Sequence, residues 1–253
     1  MLENVLRQKL EKKNILLMTH IVLGYPGFDA SARIIEAMVR AGVDLMELQI
    51  PFSEPIADGP VILRANQEAL SRGATVKRCM EFGAEVSRAF DIPFLYMTYC
   101  NIPFKYGMDR FAGDASRAGI RGIILPDLPP EEGREYLDAM ARHALAPIFI
   151  FAPTTSLERM GAIASLAGGF VYCVARKGVT GAETSFSREL DDYLARCRTA
   201  TDLPLAVGFG VKDRADVDFL KGKADIAVIG TQTIRIIEEK GVDAVGDFIA
   251  GLR

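Results

Sequence analysis

The sequence predicts a (β/α)8 TIM barrel with an extra N-terminal helix, as one domain over residues 1–253. Three observations predict it. Short apolar runs of strand length recur eight times, each followed by a stretch of helical periodicity. Parallel strands need such helical crossovers, and eight of them close a barrel. The clearest runs are continuously apolar, as strands covered on both faces are. An open doubly wound sheet is the structural rival. No G-x-G-x-x-G follows the first strand, which removes that fold's commonest cofactor fingerprint.

The elements follow in order. Residues 2–13 read as an amphipathic helix with Val5, Leu6 and Leu10 on one side, placed to plug the bottom of a barrel. The run 15–23 is the first strand, ended by Gly24-Tyr25-Pro26-Gly27. A helix over 28–41 stops at Gly42. The second strand leads through a loop to helices around 62–70 and 76–90. The third strand is 93–99, with a loop over 100–106 and a helix over 108–118. The fourth is 122–126, followed by Asp127-Leu128-Pro129-Pro130 and a helix through about His143. The fifth is 146–151. Ser156 then caps a helix to about Leu166, with Glu158 in its first turn. The sixth is 169–175, with a Gly/Thr-rich loop over 177–185 and a helix near 189–199. The seventh is 204–208, with a helix over 211–220. The eighth is 225–230, and the chain is helical from Thr231 to its end.

Composition narrows the function. Hydrophobic residues make up 49% and charged residues 25%, ordinary for a globular protein. The net charge is −3, without a basic cluster, which argues against nucleic acid or an anionic membrane as partner. The N-terminus is charged and unlike a signal peptide, and no apolar run reaches transmembrane length. The four cysteines are scattered without C-x-x-C, as expected of reduced thiols in a cytoplasmic protein. With two histidines, no multi-histidine metal site is expected.

The chemistry is expected in residues 44–60, D-L-M-E-L-Q-I-P-F-S-E-P-I-A-D-G-P. Leu45, Met46, Leu48 and Ile50 call for burial, so Glu47 among them is shielded from water. A desolvated carboxyl tends to hold its proton toward neutral pH. Asp58 lies in polar loop context and is expected to stay ionised. Two acids separated by environment suit acid/base and electrostatic roles. The plainer alternative is an ion pair of Glu47 with an interior Lys or Arg, and a turn shaped by Asp58.

Other strand ends point to an anion. Gly208-Phe209-Gly210 and Gly230-Thr231 end the seventh and eighth strands, where barrels often bind phosphate. Gly178-Val179-Thr180-Gly181 follows the sixth. Glycines admit close backbone approach, and a helix N-terminus offers free N–H groups. Tight turns alone are the simpler explanation of any one of these glycines. His20, Met97, Tyr99, Ile124, Pro126, Ile150, Tyr172, Val174 and Phe209 stand at strand ends, a largely apolar lining suited to a flat ring. Ordinary packing is the alternative for each.

The stretch from Glu47 to Pro60 resembles the signature of the tryptophan synthase alpha chain, E-L-G-[IV]-P-F-S-D-P-x-A-D-G-P. G-V-T-G-A-E, residues 178–183, resembles that family's mobile loop, and M-T-Y-C-N, residues 97–101, its Y-x-N segment. The resemblance covers nearly the whole chain. It implies cleavage of indole-3-glycerol phosphate to indole and glyceraldehyde 3-phosphate, a lyase step of tryptophan biosynthesis. Glu47 would be the general acid/base, Asp58 the partner of the indole N–H, and Tyr172 a substrate contact near Glu47. Thr180 joins the substrate-binding set. Gly181, Gly210, Gly230 and Thr231 match phosphate-binding positions. Glu54, Asn101 and Asp127 match positions toward the beta chain, Asp127 beside the second-strand loop. No cofactor or metal is implied on this chain. Pyridoxal phosphate belongs to the partner beta chain, in an alpha2-beta2 heterotetramer. The sequence departs from the pattern at His20, Gln49, Glu54 and Gln232. Rival readings are another phosphate-binding barrel enzyme and a barrel that has lost catalysis and serves as a regulatory partner.

Overall fold

In the computed structural model eight parallel strands close in sequence order, and the first pairs with the last. The structure describes residues 1–174, 183–208 and 210–253, without the side chains of 183–187. Helix α1 (Leu2–Leu10) precedes β1 (Leu16–Val22), α2 (Phe28–Arg40) and β2 (Leu45–Gln49). Helices α3 (Pro60–Ser71) and α4 (Val76–Ala89) lead to β3 (Phe94–Met97). Then come α5 (Asn101–Tyr106), α6 (Met108–Arg117), β4 (Gly122–Ile124) and α7 (Arg134–Arg142). Next are β5 (Ala146–Phe151), α8 (Leu157–Ala164), β6 (Val171–Val174) and α9 (Glu183–Ala200). The chain ends with β7 (Leu205–Gly208), α10 (Arg214–Leu220), β8 (Ile226–Ile229), α11 (Thr231–Lys240) and α12 (Val245–Ala250).

Strand periodicity splits the core in two. Outward residues such as Leu17, Met46, Leu48 and Val207 pack under the helices. Inward residues such as Leu16, Met18, Leu45, Leu95, Ile148 and Ile226 fill the lumen. Leu2 and Leu6 of α1 join the lumen cluster, so this helix does close the bottom of the barrel. Each buried leucine there contributes about 1.5–3 kcal/mol. Val5, expected on that face, is exposed, and Leu2 takes its place.

Several boundaries differ from the sequence reading. Residues 101–106, expected as loop, form α5. Pro103 reads as a breaker but sits in the first turn, where its missing N–H costs nothing. The Asp127 carboxylate accepts from Cys100 N at 2.9 and 3.1 Å and ties down the start of that helix. Helix α10 starts at Arg214 and not at 211, because Asp213 caps it by accepting from Asp216 N at 3.1 Å. The C-terminal helix does not run unbroken. Gly241, at φ +82°, ends α11, and a 3-10 turn (Val242–Ala244) precedes α12.

Candidate active site

The lumen places the acids. Leu45, Glu47 and Gln49 share one face of β2, and Leu45 is in the lumen cluster. Glu47 and Gln49 therefore face inward, above Leu45. The β1–β2 register sets His20 directly beside Glu47. Their side chains meet at 2.9 Å, Nδ1 to Oε1, with both residues at most 2% exposed. From the inner face of β6, Tyr172 donates to the same Oε1 at 3.4 Å. Burial first, and then the Glu47 charge, holds the Tyr172 phenol well above its ordinary range, so it remains a donor. Gly208 makes room for that ring, since a Cβ there would lie 2.8 Å from Tyr172 Cε1. Among the described residues, Glu47 Oε2 and His20 Nε2 are buried without a partner. Such orphans are rare in a settled core. The expected alternative, an ion pair of Glu47 with an interior Lys or Arg, is not what forms: the partner is His20.

Asp58 is held by the same strand. Gln49 Nε2 donates to Asp58 Oδ2 at 2.7 Å. Burial pushes the Asp58 carboxyl above its ordinary value, while the His20 charge and hydrogen bonds from Gln49 and Tyr99 draw it back. Asp58, expected in polar loop context, is partly buried and lines the cavity with Glu47. Tyr99 is also reassigned. It does not line the cavity but lies buried beneath the loop, stacked on Phe52 at 5.3 Å and accepting from Ala57 N at 3.0 Å. It holds the loop that carries Asp58.

Met97, Ile124 and Ile150 line the cavity as expected, joined by Ile62 and Val228. Beyond them the lining turns to backbone: Gly208, Gly210, Gly230 and Thr231. Thr231 is the first residue of α11, whose leading N–H groups have no acceptor within the helix. Gly210 adopts φ +70°, a conformation that favours glycine. Among the described lining residues there is no Lys or Arg. This rim offers backbone N–H groups and the positive end of a helix.

Thr180, Gly181 and Phe209 lie outside the described residues. Glu54 is exposed on the β2–α3 loop, and Asn101 is exposed at the start of α5. Asp127 bonds the loop after β3, at Cys100, where the sequence reading set it beside the loop after β2. Sequence reasoning missed Gln49 as the donor to Asp58, and Ile62 and Val228 as lining. The shared parity of Glu47 and Gln49 was the available signal for the first. It also passed over Ile56 and Phe104, which are 80% and 74% exposed on the loop after β2 and on α5. Among the described residues no His, Cys, Asp and Glu cluster suits a metal ion, and no helix is long and apolar enough to cross a membrane.

Comparison with known proteins places this geometry. The family model of the tryptophan synthase alpha chain matches residues 6–247. A tryptophan synthase alpha chain of Syntrophotalea carbinolica is 61% identical over 253 residues, spanning 100% of both chains. One from Desulforapulum autotrophicum is 63% identical over 252 residues, again covering 100% of each. Among solved structures, a Mycobacterium tuberculosis tryptophan synthase chain superposes with a TM-score of 0.92 at 33% identity, covering 99% of this chain and 96% of that one. The tryptophan synthase subunit alpha of Legionella pneumophila gives 0.89 at 30% identity, with 99% and 96% coverage. The chain belongs to the tryptophan synthase alpha chain family.

Proposed function

We propose that the barrel mouth cleaves indole-3-glycerol phosphate to indole and glyceraldehyde 3-phosphate, with Glu47 as general acid/base. The observation that carries the assignment of Glu47 is its second oxygen. Oε1 is occupied by His20 and Tyr172, whereas Oε2 is buried in the cavity wall with no partner among the described residues. That oxygen is the one left for substrate.

The step balances on one proton. A proton from Glu47 goes to C3 of the indole ring, and the ring becomes a cation. The hydroxyl on the adjacent side-chain carbon then gives its proton back to Glu47. Its O–H electron pair forms the aldehyde C=O, the C–C bond to C3 breaks, and those electrons restore the indole. Asp58, steadied by Gln49 at 2.7 Å, accepts from the indole N–H and offsets the ring's positive charge. Met97, Ile124 and Ile150 flank the ring. Gly210, Gly230 and Thr231 receive the phosphate, and Thr180 and Gly181 belong to the same reading.

The whole chain acts as one domain, in the cytoplasm, where its four free cysteines stay reduced. It needs no cofactor of its own. It hands indole to a beta chain that carries pyridoxal phosphate, in an alpha2-beta2 assembly. The exposed Ile56 and Phe104, on the same rim as Glu54 and Asn101, support a docking surface there. The test is indole release from indole-3-glycerol phosphate by the purified chain, alone and with a tryptophan synthase beta chain. Silence in both conditions overturns the reading.

A further inference from the structure

We propose that His20 is a positioning residue that keeps Glu47 loaded: the two side chains share one mobile proton, which occupies either His20 Nε2 or Glu47 Oε2. This rests on Glu47 being the acid/base of the cleavage.

The geometry fixes the rest of the pair. An ionised carboxylate only accepts, so the 2.9 Å contact places a hydrogen on His20 Nδ1, donated to Glu47 Oε1. That bond survives in both protonation arrangements. With the proton on Nε2, the pair is imidazolium and carboxylate. With the proton on Oε2, it is neutral imidazole and carboxylic acid. Nε2 and Oε2 are the two atoms of the pair that are buried with no partner among the described residues. Both residues line the cavity, and no Lys or Arg joins them among the described lining. Of those lining residues, His20 is the one able to carry positive charge.

The surroundings favour the loaded state. Burial alone lowers the proton affinity of His20. The hydrogen bond and charge of Glu47, aided by the charge of Asp58 and by Gln49, outweigh it, and the net shift is upward. The titratable groups facing the ring are Glu47, Asp58 and Tyr172. Strand β8 contributes none. On α3 and α11, which pack against β1, Arg64 and Glu238 pair with each other at 3.1 Å, Glu68 pairs with Arg72, and Arg235 is exposed. None of these competes for Nε2.

Proton balance follows from the cleavage. In the loaded pair Oε2 delivers its proton to C3 and later receives the hydroxyl proton, so the pair ends as it began. Between turnovers the proton resides on Nε2, which retains it to higher pH than a lone carboxyl does, and solvent in the open mouth carries it from Nε2 to Oε2 before the next cleavage. The basic limb of the pH profile is therefore a property of the pair and not of Glu47 alone.

The test compares kcat/KM against pH for the wild type, His20→Phe and His20→Asn, each with the partner beta chain. The expected result is a basic limb in the wild type that moves to lower pH in both variants. Above the displaced limb, activity falls about tenfold per pH unit relative to the wild type. His20→Asn keeps a donor near the Nδ1 position and retains more activity than His20→Phe on the acid side, but does not restore the limb. A wild-type profile in His20→Asn overturns proton storage, and one in His20→Phe reduces His20 to packing. The chain has two histidines, so ring NMR gives a second readout without any variant. His143 is bonded to Asp109 and partly exposed. A His20 resonance that titrates below the ordinary histidine value of 6.5 overturns the inference even if the variants fail to fold. No indole from the wild type defeats the proposed reaction instead, a separate outcome.

Discussion

Asp44, just before β2, and Glu47, in its middle, stand three positions apart, and both are 1% exposed. Asp44, at the lower end, is fully used. Its Oδ1 meets Lys13 Nζ at 2.5 Å, and its Oδ2 accepts from Leu17 N at 3.0 Å and Arg253 Nη2 at 2.7 Å. It ties the first strand and the C-terminal residue to the second strand. Glu47, three residues higher, commits one oxygen to its neighbours and leaves the other without a partner among the described residues. A buried polar atom left unpaired costs about 1–3 kcal/mol. The lower acid is spent on stability, and the upper one carries a cost that a substrate can relieve. The same strand thus separates structure from chemistry by height in the barrel, as parallel barrels do.

The sharpest way to break this comparison is Glu47→Gln. The amide keeps the shape and can still accept from His20, but it cannot carry the mobile proton. Indole release is expected to fall about 10²–10⁴-fold with the melting temperature unchanged or higher. Retained activity would end the distinction between the two acids. At the other end, Leu6→Ala opens the apolar plug. The expected loss is about 2–5 kcal/mol in urea unfolding with kcat preserved. A fall in kcat without loss of stability would mean that the bottom of the barrel takes part in the chemistry.

What the sequence made legible follows the same division. The order of strands and helices was readable because apolar runs and their amphipathic crossovers are local patterns. The burial of Glu47 was readable from its apolar neighbours Leu45, Met46, Leu48 and Ile50. Its partner was not, because the register that sets His20 beside it joins two strands through a helix and two turns. Gln49 stood out as a departure, but its bond to Asp58 depends on the path of the intervening loop. Tyr99 is expected as lining because the sequence places it at the end of the third strand. The stacking on Phe52 that buries it is a tertiary contact. α5 is hidden in the sequence because Pro103 is a breaker everywhere except the first turn, and the carboxylate that ties down Cys100 N comes from Asp127 in a distant loop.

Asp44→Asn asks whether the lower acid is as purely structural as its partners imply. Lys13 and Arg253 are partly exposed and can turn to water, which limits the cost. A loss of about 1–3 kcal/mol is expected, with kcat/KM for indole release unchanged. A change in kcat/KM would show that the two acids communicate along β2.

The smallest effect is in how stability depends on pH. His20 has a raised proton affinity in the fold, set against burial by Glu47, Asp58 and Gln49. A group raised on folding contributes stability that is fully present below its unfolded value and is lost as pH rises through its folded value. For His20 the loss therefore starts near 6.5 and is complete above the folded value. Asp58, raised mainly by burial, acts in the same sense, with its loss starting lower, near 3.8. Unfolding free energy should decline from mildly acidic to alkaline pH in the wild type. His20→Phe should flatten that decline, and Asp44→Asn should leave it in place because the lower acid does not face the histidine. A slope that persists in His20→Phe would trace to groups outside the mouth. A slope that disappears in Asp44→Asn would join the two ends of the strand into one titrating unit.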